Sequence, residues 1–128
     1  MILLYFLGDL GSGKTKFTEG FISFWNLEDE ISSPTFTIVN EYSKDDNNIY
    51  HFDVYRLSDS DEFINIGGSE YFDNGISIIE WGEMILDVLP PQYLRINFVK
   101  DENDINTRIL EIIPSTEDLN NRIKELFV

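Results

Sequence analysis

The chain contains no cysteine. Disulfides and thiolate metal sites are therefore excluded. Basic residues are scarce: 9 Lys and Arg stand against 24 Asp and Glu, a formal net charge of −15. Affinity for nucleic acid is supplied largely by Lys and Arg. Such a surface repels phosphate backbones, so strong direct nucleic-acid binding is not expected and the macromolecular partners are expected to be proteins. No apolar run approaches the ~20 residues that span a bilayer. The N-terminal run Met1 to Leu7 is too short for the usual layout of a signal peptide and has no basic flank before it. The expectation is a cytoplasmic protein without a membrane segment.

Apolar residues are plentiful by comparison, at 42% with 14% aromatic. That is enough for one core, and 128 residues suit one domain over 1–128. The continuous run Met1–Leu7 (MILLYFL) predicts a strand buried on both faces, as in a parallel sheet covered by helices. A glycine loop follows. Phe17, Phe21, Ile22 and Trp25 then recur at helical spacing over Lys14 to Trp25. Ser32-Ser33-Pro34 predicts a loop. Strands are predicted around Phe36 to Tyr42 and over Ile49 to Tyr55, joined as a hairpin across the polar turn Lys44 to Asn48.

Further along, Ser58 to Asp61 predicts a helix start, and Ile76 to Trp81 a second short buried strand. A helix over Met84 to Leu89 is ended by Pro90-Pro91. Leu94 to Val99 predicts a one-sided strand, paired with Thr107 to Ile113 across a polar loop. Ser115 is the expected cap of a last amphipathic helix carrying Leu119, Ile123 and Leu126.

The segment Gly8-Asp9-Leu10-Gly11-Ser12-Gly13-Lys14-Thr15 matches G-x-x-x-x-G-K-[ST] in full. It follows a predicted strand and opens a predicted helix, the context this motif requires. Glycines permit positive φ and let backbone N–H groups approach phosphate oxygens. The helix N-terminus adds unpaired donors and partial positive charge. Lys14 supplies a mobile cation for β- and γ-phosphates, and Thr15 a hydroxyl for Mg²⁺. The expected fold class is therefore α/β: a P-loop NTPase-like three-layer fold, with a mostly parallel central sheet, antiparallel edge strands and flanking helices. The expected cofactors are ATP and Mg²⁺.

An ATPase of this kind also needs an acid to position Mg²⁺ and a polar group to position water. Glu80 ends the apolar strand Ile76-Ser77-Ile78-Ile79 in a Walker B-like layout, with Glu in place of the usual Asp. Asp53 stands at a strand end in His51-Phe52-Asp53-Val54-Tyr55-Arg56. If both strands run parallel to the first, both acids face the phosphates. The alternatives for these acids are a surface carboxylate at a strand end or an ion pair with Arg56. Thr35, in Ser33-Pro34-Thr35-Phe36, either senses the γ-phosphate as part of a switch segment or caps local backbone. The sole histidine, His51, reads as packed and hydrogen-bonded rather than catalytic. Trp81 is either core or site.

GDLGSGKT, SPTF, YHFDVYR and IIEW, in that order, resemble the bacterial TsaE family, P-loop ATPases required for threonylcarbamoyladenosine (t6A) modification of tRNA. The resemblance implies that Lys14 and its surrounding loop, with Gly8, Gly11, Ser12, Gly13 and Lys16, hold phosphates. It implies that Thr15 and Glu80 hold Mg²⁺, that Asp53 is needed for hydrolysis, and that Thr35 belongs to a switch. Trp81 would lie beside the nucleotide, and Arg108 would be the arginine of the last strand that approaches it. The implied partners are TsaB and TsaD. Two departures stand out: Met1 starts directly on the P-loop strand, where the family carries a further strand and helix, and Lys16 replaces a frequent threonine. A GTPase would need an N/T-K-x-D motif, which Ser43-Lys44-Asp45-Asp46 does not supply. A small-molecule kinase would need an arginine-rich lid, and a purely nucleotide-dependent assembly factor would need no hydrolysis at all.

Overall fold

The computed structural model describes residues 2–8, 13–24 and 39–126. Strand β1 (Ile2–Leu7) leads into helix α1 (Lys14–Phe24). A hairpin of β2 (Val39–Lys44) and β3 (Asn47–Asp53) follows. Helix α2 (Ser60–Asn65) and a 3₁₀ turn at Gly68–Asp73 lead to β4 (Ile76–Glu80). A second 3₁₀ segment, Gly82–Val88, precedes β5 (Leu94–Asp101), β6 (Asp104–Pro114) and α3 (Glu117–Leu126). Among the described residues, no helix is long and apolar enough to cross a membrane.

The six strands form one sheet in the order β2-β3-β4-β1-β5-β6. The inner four run parallel, and β2 and β6 pair antiparallel at the edges. This is the mostly parallel sheet with antiparallel edges expected above. The run of β1 has the predicted burial, with Leu3, Leu4, Tyr5 and Phe6 all buried. After β1 the chain moves to one side of that strand, and after β4 it crosses to the other. The end of β1 is thus the switch point where ligands of such sheets bind.

Each face of the sheet has its own apolar layer. Leu4, Phe6, Ile49, Ile78, Ile96 and Phe98 meet Ile22 of α1 on one face. Phe6, Phe17 and Phe98 form an edge-to-face triangle there, with centroids 5.1–5.5 Å apart. On the other face Leu3, Tyr5, Phe52 and Ile79 pack with Phe63 of α2, Phe72 and Ile85. Burying each such side chain contributes roughly 1.5–3 kcal/mol.

Several expectations shift by physical detail. The segment after Trp81 is a 3₁₀ helix with a break at Ile85 (φ −129°), not a regular helix, because Ile85 must reach the core within one short span before Pro90. The last helix is capped by Thr116, whose hydroxyl accepts from the Leu119 N–H at 3.2 Å. Ser115 instead links two loops: its hydroxyl donates to the Pro91 carbonyl at 2.7 Å and accepts from the Tyr93 N–H at 2.8 Å. Asp59 caps α2, accepting from the Glu62 N–H at 3.0 Å. Strand β6 is exposed along nearly all of its length, with Ile105 82% exposed and Ile109, Leu110, Ile112 and Ile113 also open. The predicted elements at Trp25 and Phe36 to Ile38 lie outside the described residues.

Gly68 shows how tightly α2 and the following turn are joined. A Cβ there would lie 2.5 Å from the ring of Phe63, itself fully buried. Gly68→Ala should therefore destabilise the fold by about 1–3 kcal/mol, as overpacking does. Urea denaturation of wild type and variant checks this, and equal midpoints would refute it.

Candidate functional site

Glycine follows β1 and precedes α1. Gly8 has φ 155° and Gly13 φ 108°, a conformation that side chains with a Cβ rarely adopt. Gly11 and Ser12 lie outside the described residues. Lys14 opens α1, and the first helical bond runs from the Phe17 N–H to the Gly13 carbonyl at 2.9 Å. The N–H groups of Lys14, Thr15 and Lys16 stand ahead of that bond and have no helical acceptor. They form the anion-attracting end of the helix dipole.

The acids are set by strand register. Asp53 of β3 lies opposite Glu80 of β4, and Glu80 opposite Phe6 of β1. Because paired residues share a face, both acids stand on the α1 side at the carboxyl end of the sheet. Gly13, Lys14, Thr15, Lys16, Asp53, Glu80 and Trp81 line one cleft of ≈ 330 Å³. The structure thus brings together Lys14, Thr15, Asp53 and Glu80, as the sequence suggested. Asp53 accepts from the Tyr55 N–H at 3.1 Å and, among the described residues, makes no ion pair with Arg56.

Lys14 is buried, and its ammonium is held in place. It donates to the Gly8 carbonyl at 2.9 Å and lies 4.7 Å from the centroid of Trp81. Trp81 itself has φ 66°, a left-handed conformation that is strained for so bulky a residue by roughly 1–2 kcal/mol. Its surroundings hold it there. The next residue, Gly82, sits so close to Tyr5 that a Cβ would come within 2.7 Å of the ring, and the Tyr55 ring packs against Trp81 at a tilt of 49°, with centroids 4.9 Å apart. Neither the strain nor the lysine contact is legible in the sequence, because both arise from the chain turning sharply at the end of β4.

His51 was expected to be packed and hydrogen-bonded, and its Nε2 lies 2.8 Å from Glu80 Oε2. A carboxylate only accepts, so the imidazole donates. Burial pushes the Glu80 pKa up most strongly. The His51 hydrogen bond, the His51 charge and the Lys14 ammonium together outweigh it and hold the carboxyl below its ordinary value of 4.5. Arg108 lies apart from these groups but touches the loop. Its Cγ is 3.9 Å from the Cβ position of Gly13, and it lines a neighbouring cleft of ≈ 520 Å³ with Lys16, Phe17, Phe98, Ile105 and Asn106. Arg108 Nη1 donates to the carbonyls of Ile105 and Thr107 at 2.7 and 3.0 Å. Thr35 lies outside the described residues.

The donor set suits Mg²⁺ carried by a nucleotide. Among the described residues no cluster of three or more His, Asp or Glu could cage a metal unaided. Mg²⁺ typically needs only one or two carboxylates beside phosphates and water. With one oxygen engaged by His51, Glu80 keeps a second for such an ion, and the Thr15 hydroxyl is exposed in the same cleft.

A parallel strand followed by glycine, a helix opened by glycine and lysine, and acids at the ends of neighbouring strands are the architecture of the P-loop class. Within that class the chain belongs to the TsaE family: the model described as "Threonylcarbamoyl adenosine biosynthesis protein TsaE" matches residues 1–110. The tRNA threonylcarbamoyladenosine biosynthesis protein TsaE of Haemophilus influenzae is 39% identical over 116 residues, covering 90% of this chain and 72% of that protein. The protein of the same name from Bacillus subtilis is 43% identical over 90 residues, 70% of this chain and 56% of its own. That of Rickettsia conorii is 35% identical over 112 residues, 87% and 63% respectively. The chain thus spans between 56% and 72% of the length of these relatives. The crystal structure of Bacillus subtilis YdiB superposes with a TM-score of 0.68 at 31% identity, over 97% of this chain and 74% of that one.

The depressed pKa of Glu80 has a consequence for stability. A carboxyl whose folded pKa lies below its unfolded value contributes stability above the unfolded value, and loses it as pH falls through the folded one. Glu80→Gln should therefore flatten the loss of stability just below pH 4.5. Urea midpoints across an acid pH series test this, and identical slopes for both proteins would contradict it.

Proposed function

We propose that this chain binds ATP with Mg²⁺, hydrolyses it slowly, and supports threonylcarbamoyladenosine modification of tRNA together with TsaB and TsaD. The observation that carries the reading is the cleft that gathers Lys14, Thr15, Asp53 and Glu80 at the start of α1. The names of the curated relatives support the pathway. The partners rest on the family resemblance of the four motifs.

Each residue has a task set by its position. Lys14 exchanges the Gly8 carbonyl for β- and γ-phosphate oxygens, a charge-assisted contact that is the stronger of the two. The free N–H groups at the start of α1, flanked by Gly13 and Lys16, meet the phosphates, and Arg108 stands within reach of the same loop. Glu80 and the Thr15 hydroxyl are the groups that would hold the cation. Mg²⁺ supplies neutralisation of charge developing on the phosphoryl oxygens. Asp53 orients the attacking water; a switch role for Thr35 rests on the family resemblance alone. ATP is favoured over GTP because Ser43-Lys44-Asp45-Asp46, which lacks the guanine-reading pattern, ends β2 and turns into β3 at the end of the sheet opposite the cleft.

Two variants test the assignment. Lys14→Ala should lose most affinity for a non-hydrolysable ATP analogue in calorimetry while its thermal unfolding stays cooperative; wild-type affinity would sink the phosphate-loop reading. Asp53→Ala should bind ATP about as well as wild type and hydrolyse it at least ~10²-fold more slowly in single turnover. Affinity collapsing with rate would make Asp53 a metal or folding residue. Capture of TsaB and TsaD by this chain only in the presence of ATP is the expected result for the pathway role.

A further inference from the structure

His51 has no part in the chemistry described so far, yet it touches the acid on which that chemistry depends. The α1 face of the sheet is layered across its strands. Tyr42, Ile49 and Ile76 share one level, Asn40, His51, Ile78 and Leu4 the next, and Asp53, Glu80 and Phe6 the last, at the cleft. His51 therefore stands one level below Glu80 and on the adjacent strand. It reaches diagonally to Glu80 Oε2 at 2.8 Å, with its side chain 14% exposed and that of Glu80 12% exposed.

A glutamate at this place has freedom that an aspartate lacks. Its extra methylene adds a torsion, so the carboxylate can sweep across the mouth of the cleft. A hydrogen bond from a stiff, mostly buried ring removes that freedom. It anchors one oxygen and leaves the other to be presented. Outer partners of metal-binding carboxylates act in this way, and their loss typically lowers metal affinity.

We propose that His51 is a positioning residue that fixes the Glu80 carboxylate for the divalent cation arriving with the nucleotide. This rests on the reading of the cleft as a Mg²⁺–ATP site. The Glu at the end of β4 then depends on the His two residues before Asp53 on β3, so the strand pair supplies one orienting unit with both acids.

The test compares affinity for a non-hydrolysable ATP analogue with Mg²⁺ and with EDTA, by calorimetry on the whole chain. In wild type Mg²⁺ should strengthen binding. His51→Leu fills the space without a donor, and should reduce that strengthening by roughly 10-fold or more while leaving affinity in EDTA unchanged. His51→Gln carries an N–H near the place of Nε2 and should restore most of it. Should His51→Leu fail to fold, His51→Asn serves, since its shorter amide falls short of Glu80 and should show the same loss. Full Mg²⁺ strengthening in a variant without the donor overturns the proposal. So does an equal loss in EDTA and in Mg²⁺, which marks His51 as packing alone. If wild type binds the analogue without any Mg²⁺ effect, the reading of the cleft fails first and the role of His51 falls with it.

Discussion

Asp53, Glu80 and Phe6 occupy one level of the sheet because β3, β4 and β1 are parallel and held in fixed register. The rest of the site depends on that alignment. A shift of one residue would turn both acids to the opposite face, among Phe52, Phe63 and Ile79, where an unpaired carboxylate is costly. The apolar layers below guard against such a slip. Ile49, Ile78 and Leu4 fit the α1 face only in the observed register. Packing against α1 and placement of the acids are thus one requirement, met by the same alternation of residues.

The cleft also holds opposed charges. Lys14 is buried between a carbonyl and an indole face, and its charge helps keep Glu80 ionised. Trp81 keeps a left-handed backbone beside them, and Gly82 after it lies so near Tyr5 that a Cβ would meet the ring. Strain of this kind is tolerated where the surroundings over-determine a conformation. The lysine is kept beside Gly8 at the start of α1, away from most of the surrounding water.

Much of this was legible in the residues. The unbroken apolar run of β1 announced burial on both faces, and the glycine-lysine-threonine pattern announced the helix that Lys14 opens. Asp53 and Glu80 were legible as strand-end acids because each closes an apolar segment. Other features were not. The bond from His51 to Glu80 joins residues 29 apart and appears only once the strand pairing is known. Ser115 and Thr116 both look like caps, and the choice between them is made by the loop at Pro91 and Tyr93 capturing the serine. The left-handed backbone at Trp81, from which the 3₁₀ segment Gly82–Val88 starts, is advertised by no residue type.

The outer edge of β6 carries a different kind of consequence. It is an 11-residue strand that, among the described residues, no other strand covers, and isoleucine and leucine lie open along it. Edges like this invite a second chain to add a strand. With a net charge of −15, copies of this molecule repel one another, and that repulsion guards the edge. Such protection acts at long range and is the first to be lost to counterions, since ~0.15 M salt already confines it to about 8 Å. Rising ionic strength thus weakens the repulsion that guards this strand, which stands at the far edge of the sheet from β2.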